Sequence, residues 1–373
     1  MRGAFGRLYR GETTVDFFGR RKWGFLFSGS LLVITLGSIL LQGLNLGIDF
    51  KGGVAWEVPV TSTLDIEAAK EVLASEGVEE KSAKFQLLTS SGEQRVRIQA
   101  GALEPAKVTE VQQALADKAK VDLEDVSQAT VSSTWGRSIT NKAVRALLVF
   151  MLFVSAFISW RFEWRMAVSA IAAMVHDVGV SVGVYSVLGL EVTPATVVAF
   201  LTILGFSLYD TIVVFDKVHE NTQRFSGSRV SYGDIVNVSM NQVLMRSLNT
   251  SVAAVLPVIS LLVLGSGVFG AVALQEFALA LIVGLATGAY SSIFIAAPLL
   301  GILKNRETAY APQRNNLSLG AEMAHLMATG APAGRRGAVV SRVSDLEGEP
   351  AAALVTAEAV LSHPPRPRKK GRR

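Results

Sequence analysis

Cysteine is absent from the 373 residues, and histidine appears only at 176, 219, 325 and 363. Without a thiol the chain can form no disulfide, iron–sulfur cluster or cysteine nucleophile. The histidines share no metal-ligand spacing, and GxxxxGK(S/T), GxSxG and HExxH do not occur. The sequence therefore points away from ATP hydrolysis within this chain and from enzymatic activity in general, and no cofactor or metal is expected. Charge is sparse too, at 18% of residues against 50% hydrophobic. Half apolar is ordinary by itself. The arrangement is not, because apolar residues gather in runs of about 18 or more, the length of a membrane span.

One such run organises the rest. From Thr193 to Tyr209 there is no charge, and Asp210 then interrupts before the apolar residues resume at Thr211–Phe215. Only at Asp216, Lys217, His219, Glu220 and Asn221 does the sequence become polar. On a helix, Asp210 lies ~9 Å below that polar edge. An ionisable group at such depth costs at least ~2.5 kcal/mol to insert and marks an ion or proton path. The plainer alternative, an acid snorkelling from a helix end, suits a side chain longer than aspartate.

In chain order, residues 1–22 are basic and precede a first span at 23–46. That run is longer than a signal-peptide core and lacks an A-x-A site, so it reads as an uncleaved anchor. A water-soluble segment, 47–141, begins with GIDFKGG and continues as β-α-β-β-α-β. Alternating Val54, Trp56, Val58 and Val60 give a strand, and Ile66, Ala69, Val72 and Leu73 a helix. Phe85 and Leu87, then Val96 and Ile98, give two strands; Val108, Val111 and Leu115 give a helix, and a last strand lies near Val126–Thr134. That order is ferredoxin-like.

Five further spans occupy 142–302, at about 143–160, 166–190, 194–221, 248–264 and 277–300. Arg161 and Arg165, the loop from Lys217 to Arg246 and the tail from Lys304 fall on one side, and the short loops 189–193 and 265–271 carry no Lys or Arg, which predicts a bacterial plasma-membrane protein with both termini cytoplasmic. The expected fold class is a mostly α membrane protein with six transmembrane helices and an α+β ferredoxin-like exterior domain between spans 1 and 2. The tail, 303–373, is rich in Ala, Gly, Pro, Arg and Ser and is expected to be disordered. Its basic end suits contact with anionic lipid or RNA, or simple solubilisation.

His176 and Asp177 fall ~15–17 Å into the third span, where facing lipid would be costly. They are expected to face the bundle interior, His176 either as a proton relay or as a neutral imidazole bonded between helices. Arg246 opens the fifth span near the depth of Asp210, so the two are candidates to pair. An acid held between the opposing effects of burial and a nearby cation can take up and release a proton; a permanent ion pair joining two helices is the alternative. Gly179, Gly183, Gly284 and Gly288 permit close helix contact, and Glu276 reads as an interfacial charge.

The motifs GIDFKGG (47–53), HD (176–177), GFSLYDTIVVFDKVHEN (205–221) and RSLNTS (246–251) resemble the SecD/SecF family of RND-type membrane proteins, over roughly residues 10–302. The resemblance is to the smaller, SecF-type members. It implies a subunit that joins a SecD-like partner in a twelve-span assembly beside the SecYEG channel and SecA. That assembly uses the proton-motive force to promote translocation of unfolded preproteins. It also implies proton-coupling roles for Asp210 and Arg246, with Asp177 and His176 as further candidates. Two positions depart from the usual GYSxND pattern, Phe206 standing for Tyr and Tyr209 for Asn. Two other readings remain open: one half of a proton-coupled small-molecule exporter, and a structural scaffold for a membrane complex. The exporter would need a partner half and an exterior pocket, and the scaffold has no use for Asp210 within the membrane.

Overall fold

The computed structural model describes residues 13–78, 83–90, 93–226, 228–268 and 272–332. Among these, six helices are long and apolar enough to cross a membrane. The first, α1 (Arg21–Leu41), leads through a two-residue strand β1 (Asn45–Leu46) into a single helical turn, α2 (Ile48–Lys51). The sheet domain follows as β2 (Gly53–Pro59), α3 (Ile66–Ser75), β3 (Lys84–Ser90), β4 (Glu93–Ala100), α4 (Pro105–Ala119) and β5 (Ser127–Val131). Its strands lie in the order β3-β4-β2-β5, every neighbouring pair antiparallel. This is the ferredoxin-like arrangement expected from the element order.

Local signals explain these elements. Asp65 caps α3 by accepting from the Ala68 N–H at 2.8 Å. The alternating residues Val54, Trp56 and Val58 on β2 and Val96 and Ile98 on β4 are all fully buried and form the domain core with Leu73, Val111 and Leu115. The Trp56 indole N–H meets the Val108 carbonyl at 3.3 Å, so the largest core side chain carries no unpaired donor. Residues 91–92, between β3 and β4, lie outside the described residues.

The GIDFKGG stretch fastens this domain to the membrane helices. Gly52 has φ +77°, a conformation side chains disfavour, and a Cβ there would stand 2.6 Å from the Ser133 backbone. Ser133 begins α5 (Ser133–Arg161), whose Gly136 packs its bare Cα against the Phe50 carbonyl. The second spanning helix thus starts ten residues before the apolar run at 143, as a rigid extension rising into the sheet domain.

The remaining helices are α6 (Trp164–Leu188), α7 (Pro194–Arg224), α8 (Tyr232–Ser260) and α9 (Val272–Ser291). A π-helical stretch, Leu261–Val268, continues α8, and another, Ser292–Ala296, joins α9 to α10 (Ala297–Lys304). Between α6 and α7, strand β6 (Glu191–Val192) pairs in parallel with β1. Small residues set the closest helix contacts: Gly183 of α6 against Thr35 of α1, and Gly284 and Gly288 of α9 against Ile203 and Ser207 of α7.

The expectation of disorder from residue 303 onward is corrected for its first part. Residues 303–332 fold back and include α11 (Ala321–Thr329), whose Met323 and Leu326 are buried in the main core beside α8. Residues 333–373, with the basic end of the tail, lie outside the described residues, as do residues 1–12. The segment before α1 is also pinned to α8, since the side-chain carbonyls of Asn237 and Asn241 accept from the Phe18 and Val15 N–H groups at 2.7 and 2.9 Å.

Candidate functional site: a carboxylate core within the bundle

Three helices converge on Asp177. It is fully buried on α6 and accepts from the Ser207 hydroxyl of α7 at 2.5 Å and from the Ser291 hydroxyl of α9 at 2.8 Å. Its other oxygen lies 3.1 Å from His176 Nδ1. The His176 Nε2 is buried and has no hydrogen-bond partner among the described residues. The tight α7–α9 contact at Gly288 brings Ser207 and Ser291 to the same carboxylate. Directly after Ser291 the helix widens into its π-helical stretch, an insertion of the kind found at functional sites.

One turn along α7 from Ser207 lies Asp210, 6% exposed. The Ser247 hydroxyl of α8 stands 2.6 Å from each of its oxygens. Next to it the Thr211 and Ser292 hydroxyls are 2.9 Å apart, and Ser292 donates to the Gly288 carbonyl. Ser207 and Asp210 line a partly open cavity of about 30 Å³ together with Phe206, Tyr209, Thr250, Ser251 and Gly288. A cavity that size holds roughly one or two waters. His176, Asp177 and Asp210 therefore share one polar core that crosses α6, α7, α8 and α9.

Arg246 stands apart. It is exposed and makes no ion pair with Asp210; its neighbour Ser247 takes the place by the carboxylate. The pairing expected from depth alone is corrected by rotation, because adjacent residues on a helix point ~100° apart. Phe206 and Tyr209, the two departures from the family pattern, are half-exposed, border the same cavity as Asp210 and give no hydrogen bond to the acid. Among the described residues there is no cluster of His, Cys, Asp or Glu able to hold a metal ion.

A second polar junction joins the bundle to the sheet domain, and no pattern of period or spacing announces it. Glu191, in the turn between α6 and α7, is 2% exposed. Both of its oxygens take a bond from Gln99 Nε2 of β4 at 2.8 Å, and the Arg97 guanidinium stands 3.7 Å away. Beside it the Lys84 ammonium of β3 donates to the Asn45 side-chain carbonyl of β1. Burial, helped by Lys51 and opposed by Glu191, lowers the Lys84 pKa from its usual 10.5. Glu276, expected as an interfacial charge, is 9% exposed here, and its backbone carbonyl accepts from the Tyr185 hydroxyl at 2.7 Å.

Fold and site together define a multi-pass membrane protein with a ferredoxin-like domain between its first two spans and a carboxylate-bearing helical core. The chain belongs to the SecD/SecF family. The model of that family described as "Protein export membrane protein SecD/SecF, C-terminal" matches residues 110–306, and the SecD/SecF GG motif matches residues 37–63, which include GIDFKGG. The protein translocase subunit SecF of Streptomyces coelicolor is 40% identical over 302 residues, covering 81% of this chain and 80% of that protein. The SecF of Haemophilus influenzae is 34% identical over 281 residues, 75% of this chain and 83% of its own. A crystal structure of SecDF from Thermus thermophilus superposes with a TM-score of 0.70 at 32% identity, covering 79% of this chain and 39% of that one. This chain therefore spans about two-fifths of that SecDF chain.

Proposed function

We propose that this chain is the SecF-like subunit of a protein-export machine, which with a SecD-like partner converts proton flow into movement that promotes preprotein translocation. The relatives named above are translocase subunits, and SecDF carries both halves in one name. The observation that carries the mechanism is the setting of Asp210: buried in the bundle, bonded by a neutral hydroxyl, beside a water-sized cavity and, among the described residues, unpaired with any cation. With no fixed positive partner, gain or loss of a proton changes the net charge inside the core. Ser247 donates to the ionised carboxylate, and can accept from the protonated one by rotating its hydroxyl.

The charge change has a mechanical outlet. Asp210 lies on α7 and Asp177 on α6, and the turn joining those helices holds β6, which pairs with β1, and Glu191, which grips β4 of the sheet domain. A proton moving through ~100 mV releases ~2.3 kcal/mol, enough to bias such a movement without ATP. Six spans with both termini in the cytoplasm place the sheet domain outside, where an emerging preprotein would be met. The half-exposed face of Phe206 and Tyr209, beside Asp210, is suited to packing against the SecD-like half. SecYEG and SecA are the expected further partners.

The experiment is Asp210→Asn in the full chain with its SecD-like partner. Proton-motive-force-dependent translocation is expected to be lost while the variant still assembles; full activity would sink the mechanism.

A further inference from the structure

The first part of α5 carries a polar face that the proton-coupled function leaves unused. Arg137, Lys142 and Arg145 are exposed there, interleaved with Thr134, Ser138 and Asn141, and the six border an open depression of about 450 Å³. At ~100° per residue all six fall within ~140° of the helix circumference. Among the described residues none of the three cations has a carboxylate partner. With the orientation proposed above they lie on the exterior side, where the positive-inside rule supplies no reason for them.

Their height is the second observation. Counting back from Arg161 at the other end of α5, Arg145 lies ~24 Å and Arg137 ~36 Å along the helix. A hydrocarbon core ~30 Å thick therefore ends between them, with Arg137 beyond its edge on the sheet-domain side and Lys142 and Arg145 about 2 and about 6 Å within it, where their long side chains reach the headgroups. Below them on the same face, Leu148 and Leu152 are 64% and 69% exposed, where acyl chains would lie. Trp135, 57% exposed just above, sits where interfacial aromatic residues collect.

We propose that this face of α5 binds the phosphodiester headgroup of an anionic phospholipid in the leaflet that faces the sheet domain. Two guanidinium groups and one ammonium offer charge-assisted donors to the singly negative phosphodiester, and the neighbouring hydroxyl and amide groups supply further donors. The exposed leucines beneath receive the acyl chains. Because Gly136 seats α5 against the GIDFKGG turn, a lipid held here would fix the sheet domain's height above the membrane.

The test uses the full chain purified in a neutral detergent and observed by native mass spectrometry, with dioleoylphosphatidylglycerol and dioleoylphosphatidylcholine titrated separately. The variant Arg137→Gln/Lys142→Gln/Arg145→Gln is expected to bind phosphatidylglycerol at least about tenfold more weakly. Its phosphatidylcholine binding and lipid-free unfolding temperature stay unchanged, and the charge-keeping variant Arg137→Lys/Arg145→Lys retains binding. Undiminished phosphatidylglycerol binding in the triple variant overturns the proposal. So does an equal loss in Arg20→Gln/Arg161→Gln/Arg306→Gln on the opposite side, which would mark a general charge effect. Loss of co-purification with a SecD-like subunit while phosphatidylglycerol binding is intact would make this face a protein interface instead. Should the triple variant fail to fold, the three single variants decide: each weakens phosphatidylglycerol binding about two- to fivefold, and three unchanged singles overturn it.

Discussion

Gln99 donates its side-chain amide to both carboxylate oxygens of Glu191 at 2.8 Å, and the two residues are 6% and 2% exposed. One belongs to the sheet domain and the other to the turn between the helices bearing Asp177 and Asp210. Removing the donor leaves a buried carboxylate short of a partner, whereas neutralising the acid does not. Gln99→Leu is therefore expected to destabilise the protein by about 2 kcal/mol, and Glu191→Gln by less than half of that. Thermal unfolding of the purified chain reads both. If Glu191 transmits motion, Gln99→Leu also lowers preprotein translocation while Asp210 is intact.

Around Asp210 the partner is Ser247 and not Arg246, and the two can be separated by double-mutant cycles. Arg246→Gln, at an exposed cation with no ion pair among the described residues, should change stability by less than about 0.5 kcal/mol. Combined with Asp210→Asn it should be additive within the same margin. Ser247→Ala removes a hydroxyl from a buried acid and should cost about 1–3 kcal/mol, with a coupling to Asp210→Asn above about 0.5 kcal/mol. A large Arg246–Asp210 coupling would restore the ion pair that depth alone implied.

The contrast between those neighbours shows what was legible in the sequence. Six apolar runs and a β-α-β-β-α-β order are patterns of length and period, and both survive intact in the fold. The inward turn of His176 and Asp177 followed from the cost of placing such groups in lipid. Rotation did not follow, because a spanning helix apolar all round offers no stripe to set its phase. Nor did the serines stand out. A hydroxyl in a spanning helix often bonds back to its own turn, as Ser155 does to Met151 and Ser251 to Ser247. Nothing local distinguishes these from Ser207 and Ser291, which bond to Asp177. In the tail, Met323 and Leu326 were the signal of α11, a helical spacing obscured by the polar composition around it.

The GIDFKGG turn makes a prediction about space. At Gly136 a Cβ would lie 2.6 Å from the Phe50 carbonyl oxygen, a backbone atom that cannot rotate aside. Gly136→Val should therefore destabilise the junction of α5 with the sheet domain by about 1–3 kcal/mol, read as a lower unfolding temperature and faster proteolysis between residues 44 and 60. Gly101, with nothing within 4 Å of an added Cβ, is the control, and Gly101→Ala should stay within about 0.5 kcal/mol of the parent.

Lys84 sets a pH dependence whose sign is fixed. Burial and Lys51 hold its folded pKa below 10.5, against the opposing pull of Glu191. Between the lowered folded value and 10.5 the unfolded chain keeps a proton that the folded one has released, so the contribution of Lys84 to stability rises with pH across that window. Below the window both states are protonated, and the contribution is constant and least favourable. The stability difference between the parent and Lys84→Gln should therefore shift toward the parent as the pH climbs to 10.5, and be flat below the window. Glu191→Gln removes the one carboxylate that raises the Lys84 value, so in that background the rise should begin at lower pH. A difference that falls with pH would mean that Lys84 gains more from Glu191 than it loses to burial, and that the carboxylate clamps β3 as well as β4.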